Sequence, residues 1–167
     1  MRDATVADAG AIAEIHVAGW RAAYRGLMPD DVIESLSLDQ RRGFWKGMLS
    51  KPGAGRVAVG EYDGAIVGFC SYGPTRDEDG DGAAEIYALY VHPGKWRQGW
   101  GRALCEHAAR EAAEREHRAM TLWVIDGNEP ARRFYERVGY TTDGAERIDT
   151  RLIGTPFTEI RYRKAIG

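Results

Sequence analysis

The stretch Leu89-Tyr90-Val91-His92-Pro93-Gly94-Lys95-Trp96-Arg97-Gln98-Gly99-Trp100-Gly101-Arg102-Ala103-Leu104 decides the fold, because it predicts a strand, a glycine-rich turn and a helix in direct succession. Glycines at a helix start let backbone N–H groups approach an anion closely, and the helix dipole adds partial positive charge. The side chains of Arg97 and Arg102 add formal charge. The stretch predicts an anion site, although a tight loop without a ligand fits the same residues equally well.

Two familiar phosphate-binding motifs do not fit this turn. The dinucleotide pattern G-x-G-x-x-G fails because Leu104 stands where the third glycine should be. The Walker pattern fails because Lys95 is followed by Trp96 and not by Ser or Thr. An anion bound here must therefore be held by another class of site.

On the N-terminal side, apolar residues at helical spacing predict three helices. The first runs from Asp8 to about Tyr24, and a short second one follows Pro29. The third covers residues 38–49, and its residues predicted to be directed inward are Phe44, Trp45, Met48 and Leu49. The pair Asp63-Gly64 between two apolar runs then predicts an antiparallel hairpin.

Further along the chain, strands and helices alternate. Strands are predicted over residues 84–92, 120–125 and 157–162, and helices over 101–117 and 129–138. The order of elements predicts an α/β fold of the α+β type, with a mixed, mostly antiparallel sheet of about six to seven strands and helices on both faces. No linker divides the chain, so we expect a single domain over residues 1–167.

Composition restricts the class of protein. With 44% hydrophobic and 29% charged residues the chain has the composition of a globular domain. A net charge of −2 argues against nucleic acid as the main partner. No apolar run approaches the ~20 residues of a membrane helix, and no signal-peptide core follows Met1, so we expect a cytoplasmic protein without a membrane partner. Cys70 and Cys105 fall within a predicted strand and helix and are expected to be reduced core residues.

A second segment makes the anion site specific. The sequence Asn128-Glu129-Pro130-Ala131-Arg132-Arg133-Phe134-Tyr135-Glu136-Arg137-Val138-Gly139-Tyr140, taken together with the glycine turn, resembles the GNAT superfamily of acetyl-CoA-dependent N-acetyltransferases. Members of that family pair an R/Q-x-x-G-x-G/A turn with a downstream N-x-x-A-x-x-x-Y-x-x-x-G-F/Y helix. The resemblance covers residues 57–140. One departure is Trp96, which stands at the first position of the turn motif, where Arg or Gln is usual.

The resemblance implies a fold, a cosubstrate and roles for particular residues. The fold would be GNAT-like, with two central strands splayed apart to admit the pantetheine arm of acetyl-CoA. That arm and the acetyl carbonyl would lie along one strand edge and the pyrophosphate at the glycine turn. The cofactor-binding residues would be Leu89, Tyr90, Val91, Arg97, Gln98, Gly99, Trp100, Gly101, Arg102 and Asn128. Because Trp96 replaces the usual residue, the side chain that assists the phosphates is open between Arg97, Gln98 and Arg102.

The reaction also needs a base and an acid. An alkyl ammonium with a pKa of roughly 10 must lose a proton before it attacks a thioester. Glu85 is the candidate base, since a two-residue period places it on the side of Tyr87 and Leu89; a solvent-facing strand carboxylate is the alternative. Tyr135 matches the family tyrosine that protonates the leaving thiolate, with a core tyrosine as its alternative. Asn128 could equally be a simple helix N-cap.

The acceptor is less well specified. Trp20 and Tyr24 belong to the helices expected over the acceptor side and are candidate substrate contacts, although aromatic residues at helical spacing are more often core. They favour a small-molecule amine. The loop Asp77-Glu78-Asp79-Gly80-Asp81-Gly82 begins like a calcium loop, but Ala88 stands at its twelfth position, so no metal is expected.

The sequence leaves other functions open. A non-catalytic acetyl-CoA-binding regulatory module, a transferase for a longer acyl group and an enzyme acting on a protein N-terminus each fit the same motifs. A homodimer is possible, since dimers are common in the family that the chain resembles.

Overall fold

The computed structural model describes residues 1–51, 53, 55–80, 82–150 and 156–167. It contains five α-helices in the described ranges: α1 (Ala9–Tyr24), α2 (Asp30–Glu34), α3 (Leu38–Ser50), α4 (Trp100–Ala113) and α5 (Glu129–Arg137). Its strands are β1 (Arg2–Asp3), β2 (Arg56–Tyr62), β3 (Ala65–Pro74), β4 (Ala84–Val91), β5 (Ala119–Ile125), β6 (Thr141–Asp149) and β7 (Phe157–Ala165).

The strands form a single seven-stranded sheet in the order β1-β2-β3-β4-β5-β7-β6. The strands β4 and β5 run parallel, and the other neighbouring pairs run antiparallel. The β2–β3 hairpin turns at Asp63 and Gly64, which have φ values of 52° and 74° as a type I′ turn requires. The predicted mixed, mostly antiparallel sheet is confirmed. Strand β1, which pairs with β2, was not predicted.

Helices cover both faces of the sheet. Leu89 and Val91 pack against the core cluster that contains Leu104 and Ala108 of α4. The alternate residues of β4, Ala88 and Tyr90, pack against the cluster that contains α1 and Trp45 of α3. Since alternate residues of a strand point to opposite faces, the two clusters lie on opposite sides of the sheet. No helix in the described ranges is long and apolar enough to cross a membrane.

A β-bulge interrupts β4 at Tyr87. Ser71 pairs with Ala88 and Tyr72 pairs with Ile86, so Tyr87 is an extra residue opposite β3. The bulge shifts the alternation of side chains by one residue. Glu85 and Leu89 therefore lie on opposite faces, and the expectation that a simple two-residue period puts them on one face was wrong.

The inward direction predicted for two residues of α3 was also wrong. Trp45 is 2% exposed, as expected, but Phe44 and Met48 are 48% and 40% exposed. Both line a cleft on the α1–α3 side of the sheet. The apolar period of α3 marks the wall of a cavity as well as the core, and a periodicity argument cannot separate these two environments.

Candidate active site

A cleft of about 1150 Å³ opens between the sheet and the N-terminal helices. At one end it is bordered by Leu89 and Val91 of β4 and by Asn128 and Tyr135. At the other end it is bordered by residues of α1 and α3. The sheet residues at its floor connect the two ends, so two molecules could meet within one cavity.

The gap at the floor of the cleft arises because β4 and β5 separate. Their parallel pairing covers Ala84, Glu85 and Ile86 opposite Met120, Thr121 and Leu122, and ends there. On its other edge β4 remains paired with β3 as far as Val91. The second half of β4 therefore has backbone N–H and C=O groups on the β5 side without sheet partners among the described residues. These are the groups that an extended ligand can bind as a neighbouring strand would. The predicted splay is confirmed.

The glycine turn forms an open helix N-terminus. Gly99 is the N-cap of α4 with a φ of +86°, a left-handed conformation that favours glycine. No side chain among the described residues caps the helix. The first-turn N–H groups of α4 are thus free to bind an anion. Gly101 has a different purpose, since a Cβ there would lie 3.1 Å from the ring of Phe134. It permits α4 to pack closely against α5.

The side chains of the turn are not equivalent. The Gln98 amide donates to the carbonyl of Gly94 at 3.4 Å, and Arg102 pairs with Glu106 at 2.8 Å on the exposed surface of α4. Arg97 makes no ion pair within the described part of the chain. Trp100 lies edge-on to Tyr62, with ring centroids 6.0 Å apart, so its contribution to an anion site is its backbone N–H. Of the three candidate side chains, Arg97 is therefore the one whose charge is available to a phosphate.

Trp96, the departure from the family motif, has a structural use. Its indole N–H donates to the carbonyl of Val91 at 2.7 Å, and its ring borders the cleft. It therefore ties the end of β4 to the turn that begins α4.

Asn128, the N-cap of α5, and Tyr135, in the last turn of α5, both border the cleft. The Asn128 side chain accepts from the N–H of Ala131 at 3.2 Å, so its predicted capping role is confirmed. Burial raises the pKa of Tyr135 well above its ordinary value of 10, which keeps its hydroxyl protonated. That hydroxyl has no hydrogen-bond partner in the part of the chain that the structure describes. It is available to a ligand.

Glu85 is buried and held by Arg76. It is 1% exposed and does not line the cleft. Its carboxylate accepts from the Arg76 backbone N–H at 2.9 Å and from the Arg76 guanidinium. Arg76 itself lines the cleft, and its guanidinium lies 4.4 Å from the ring centroid of Tyr87. The structure thus puts Glu85 behind Arg76 as seen from the cleft.

The two aromatic residues predicted on the acceptor side, Trp20 and Tyr24, do line the cleft, with ring centroids 4.6 Å apart. Trp20 is 5% exposed, and its indole N–H has no partner in the described structure.

His16 lies nearby and was not singled out from the sequence. Its Nδ1 accepts from the Trp45 indole at 3.2 Å, its ring stacks on Tyr90 at 4.8 Å, and burial lowers its pKa to about 4. It is neutral at pH 7.

Charged residues of the cleft were missed as well. The lining includes Arg41, Lys51, Arg76, Arg147, Asp149 and Glu159, which come from four separate parts of the chain. Arg147 bonds Glu159 at 2.6 Å and lies 4.2 Å from the ring centroid of Trp123. No local motif contains these residues. The exposed glycines of α3 were the available signal, because glycine inside a helix is costly unless a surface needs to stay open.

The acidic loop that begins like a calcium site binds a guanidinium. Arg161 pairs with Asp79 at 2.6 Å, with Asp77 at 3.3 Å and with Asp143 at 2.8 Å. Asp77 also accepts from the indole N–H of Trp123 at 3.1 Å. Asp81 lies outside the described residues. Asp77 and Asp79 therefore hold this loop against β7.

Known proteins share this architecture. The chain is 31% identical over 160 residues to the uncharacterized N-acetyltransferase YuaI of Bacillus subtilis, covering 96% of this chain and 89% of that protein. It is 27% identical over 142 residues to the L-amino acid N-acyltransferase MnaT of Escherichia coli, covering 84% and 78%. The crystal structure of PaiA N-acetyltransferase from Thermoplasma acidophilum in complex with coenzyme A superposes with a TM-score of 0.75 at 19% identity, covering 98% of this chain and 96% of that one.

A sequence model described as "Acetyltransferase (GNAT) family" matches residues 12–140, which include most of α1, the open N-terminus of α4 and the whole of α5. The match covers most of the chain. The predicted resemblance is confirmed, and the chain belongs to the GNAT family of acetyltransferases.

Proposed function

We propose that the protein transfers the acetyl group of acetyl-CoA directly to the primary amine of a small molecule within a ternary complex. The observation that carries this proposal is the cleft, which is continuous from the β4–β5 gap to the aromatic residues of α1. Two reactants bound at its ends would meet without a protein group between them. The coenzyme A in the PaiA structure supports the cosubstrate, and the name of MnaT supports a small acceptor.

The cosubstrate would be held mainly by backbone groups. Acetyl-CoA supplies the thioester, whose carbonyl carbon the amine attacks. The N–H groups at the start of α4, within residues 99–102, would bind the pyrophosphate, with Arg97 as the assisting side chain. The unpaired edge of β4 at Leu89, Tyr90 and Val91 would bind the pantetheine arm and the acetyl carbonyl, with Asn128 beside them.

Tyr135 would provide the proton for the departing thiolate. Its raised pKa keeps the phenol protonated, and its hydroxyl has no partner in the described structure. In water a thiolate with a conjugate-acid pKa of roughly 8.5 is too weak a base to take a proton from such a phenol. Burial beside Tyr135 would raise the basicity of the thiolate as well, so that its charge is first stabilised by the phenol hydrogen bond and then neutralised by the phenol proton, which solvent replaces.

Glu85 would accept the proton of the ammonium. Its burial behind Arg76 supports a route through water and not direct contact. Arg76 has a side chain that is 58% exposed, so it can swing toward solvent and admit water to the carboxylate. Glu85 would make the same contacts if its role were only to position Arg76. Comparing the Glu85 and Arg76 variants separates that role from the role of a base.

Direct transfer is favoured over an acyl-cysteine intermediate. Cys70 and Cys105 are buried, neither lines the cleft, and burial raises the pKa of each thiol, that of Cys105 to about 12. Such thiols are poor nucleophiles at neutral pH.

The test is free-thiol release from acetyl-CoA against a panel of amines, amino acids, polyamines and aminoglycosides. We expect at least one acceptor to be acetylated. With that acceptor, Glu85→Gln should lower kcat roughly tenfold or more, whereas Arg76→Ala, which keeps the carboxylate of Glu85, should lower kcat by a clearly smaller factor. Tight binding of acetyl-CoA without any product would contradict the proposal and favour a non-enzymatic module. Unchanged turnover in both Glu85→Gln and Tyr135→Phe would overturn the assigned chemistry.

The same proposal includes contacts of the substrate with Trp20 and Tyr24. It also includes a homodimer and a cytoplasmic location. Sedimentation at several concentrations tests the dimer.

A further inference from the structure

The cleft carries more cations than carboxylates. Among its described lining residues are four cations and two carboxylates, namely Arg41, Lys51, Arg76, Arg147, Asp149 and Glu159. Two of the guanidinium groups have carboxylate partners, since Arg76 pairs with buried Glu85 and Arg147 pairs with Glu159. Arg41 and Lys51 make no ion pair within the described ranges. Lys51 is an exposed residue at the end of α3, whereas Arg41 is half-buried.

The Arg41 guanidinium lies on the acceptor side of the cleft. Its central carbon is 5.8 Å from the ring centroid of Phe44. Burial is the largest cause of the altered pKa values of His16 and Tyr90, and the charge of Arg41 contributes to both. These two residues come from α1 and β4 and line the same cavity. The charge of Arg41 in α3 therefore acts on residues of α1 and β4 that line the same cavity.

The neighbouring residue shows how an arginine of this helix is satisfied when it faces solvent. Arg42 pairs with Glu14 at 2.8 Å and with Asp39 at 3.4 Å. Arg41, one position earlier, points into the cleft and lacks such a partner in the described chain. A partly desolvated guanidinium without a counter-charge is unfavourable unless an anion binds to it.

We propose that Arg41 binds a carboxylate of the acceptor, so that the substrate is an amino acid or a close relative that carries an amine and a carboxylate. The inference rests on the proposed acetyl transfer and names its substrate class. Arginine binds carboxylates with two parallel hydrogen bonds, which would fix the direction of the nearby amine. The exposed Phe44 and Met48, each directly preceded by a glycine (Gly43 and Gly47), form an apolar wall for the rest of the acceptor.

The experiment uses matched acceptors that differ by the carboxylate. Leucine, methionine and phenylalanine are compared with 3-methylbutylamine, 3-(methylthio)propylamine and phenethylamine. In the wild type kcat/KM should favour the amino acid of at least one pair. Arg41→Ala should lower kcat/KM for that amino acid about tenfold or more, mainly through KM, and change it less than twofold for the decarboxylated amine. Arg41→Lys should restore part of the loss, and Arg42→Ala should leave both acceptors unaffected.

The outcomes separate this inference from the proposed function. Acetylation of the amines with no preference for a carboxylate overturns the role of Arg41 and leaves acetyl transfer standing. An equal loss on both members of a pair in Arg41→Ala also overturns it, because a residue that only supports the fold would act on both. Failure to acetylate any amine overturns the inference and the proposed function together.

Discussion

The two ends of the cleft are built on different principles. At the end proposed for the cosubstrate the available groups are backbone N–H groups, exposed by the N-terminus of α4 and by two strands that separate. At the end proposed for the acceptor the available groups are side chains from α1, α3 and the last strands, such as Trp20, Arg41 and Glu159. The first end depends on short sequence motifs at fixed spacing. The second depends on which distant residues the fold brings together, and it is the end that can change without loss of the fold.

Tyr135 is the exception at the cosubstrate end, because there a side chain and not a backbone group is proposed to act. We expect Tyr135→Phe to lower kcat by roughly 100-fold or more, since loss of general acid catalysis has effects of that order. Tyr140→Phe is the matched control, because Tyr140 lies beside Tyr135, is 1% exposed, and its hydroxyl has no partner in the described structure. Steady-state thiol release with both variants is the measurement. A loss of similar size in the control would make the Tyr135 effect structural.

The acceptor end contains a group whose titration affects stability. The folded pKa of His16 is about 4 against an ordinary value near 6.5, so the unfolded chain binds more protons between these values. Its neutral form is the native one, and stability should fall as the pH falls from 6.5 to 4, by roughly 3 kcal/mol at most. Urea denaturation of the wild type and of His16→Gln at pH 7, 5.5 and 4.5 measures this. The free-energy difference between the two proteins should shift in favour of the variant at low pH; a constant difference would refute it.

At the cosubstrate end, the side chain that assists the pyrophosphate can be identified by mutation. We expect Arg97→Ala to raise the KM for acetyl-CoA about fivefold, as for loss of an exposed charge-assisted contact. Arg102→Ala should change it less than twofold, because Arg102 is paired with Glu106. The acceptor KM should not change in either variant. The effect of Arg97→Ala should shrink at high salt, and a larger effect from Arg102→Ala would reverse the assignment.

The smallest expected effect is that of Gly47→Ala in α3, which should change stability and acceptor binding in opposite directions. Gly47→Ala should stabilise the protein by up to ~1 kcal/mol through helix propensity. A Cβ there meets no atom of the described residues within 4 Å but enters the cleft, so the acceptor KM should rise about two- to threefold while the acetyl-CoA KM is unchanged. Gly10→Ala of α1 is the control, since its Cβ also has free space and Gly10 does not line the cleft. Thermal melts and KM values for both substrates decide the matter.

The contrast between the two ends explains what the sequence could predict. The hairpin at Asp63-Gly64, the strand–turn–helix of residues 89–104 and the helix that starts after Asn128 are local patterns, and the structure contains all three. Strand β1 has only two residues and exists because it pairs with β2, so no local pattern could identify it.

The predictions that were wrong failed for one reason. They depended on contacts between residues distant in sequence, which the local spacing of residue types does not contain. The bulge at Tyr87 depends on pairing with β3 and reverses the face on which Leu89 lies relative to Glu85. Phe44 and Met48 have core-like periodicity but border a cavity. The partnership of Glu85 with Arg76 joins β4 to the loop that follows β3. That Arg41 has no ion-pair partner among the described residues is a property of its surroundings in the fold. Such features require the three-dimensional arrangement.

The attachment of the acidic loop to Arg161 has a consequence for how this enzyme could be altered. Asp77, which that arginine and Trp123 hold in place, directly follows Arg76, the residue that covers Glu85. The acceptor wall is therefore tied to β7, far from it in sequence. If Arg76 borders the acceptor as proposed, a change to Arg161 would alter substrate choice at a distance. A new acceptor pocket grafted onto this scaffold would then have to include the loop and the last strand together.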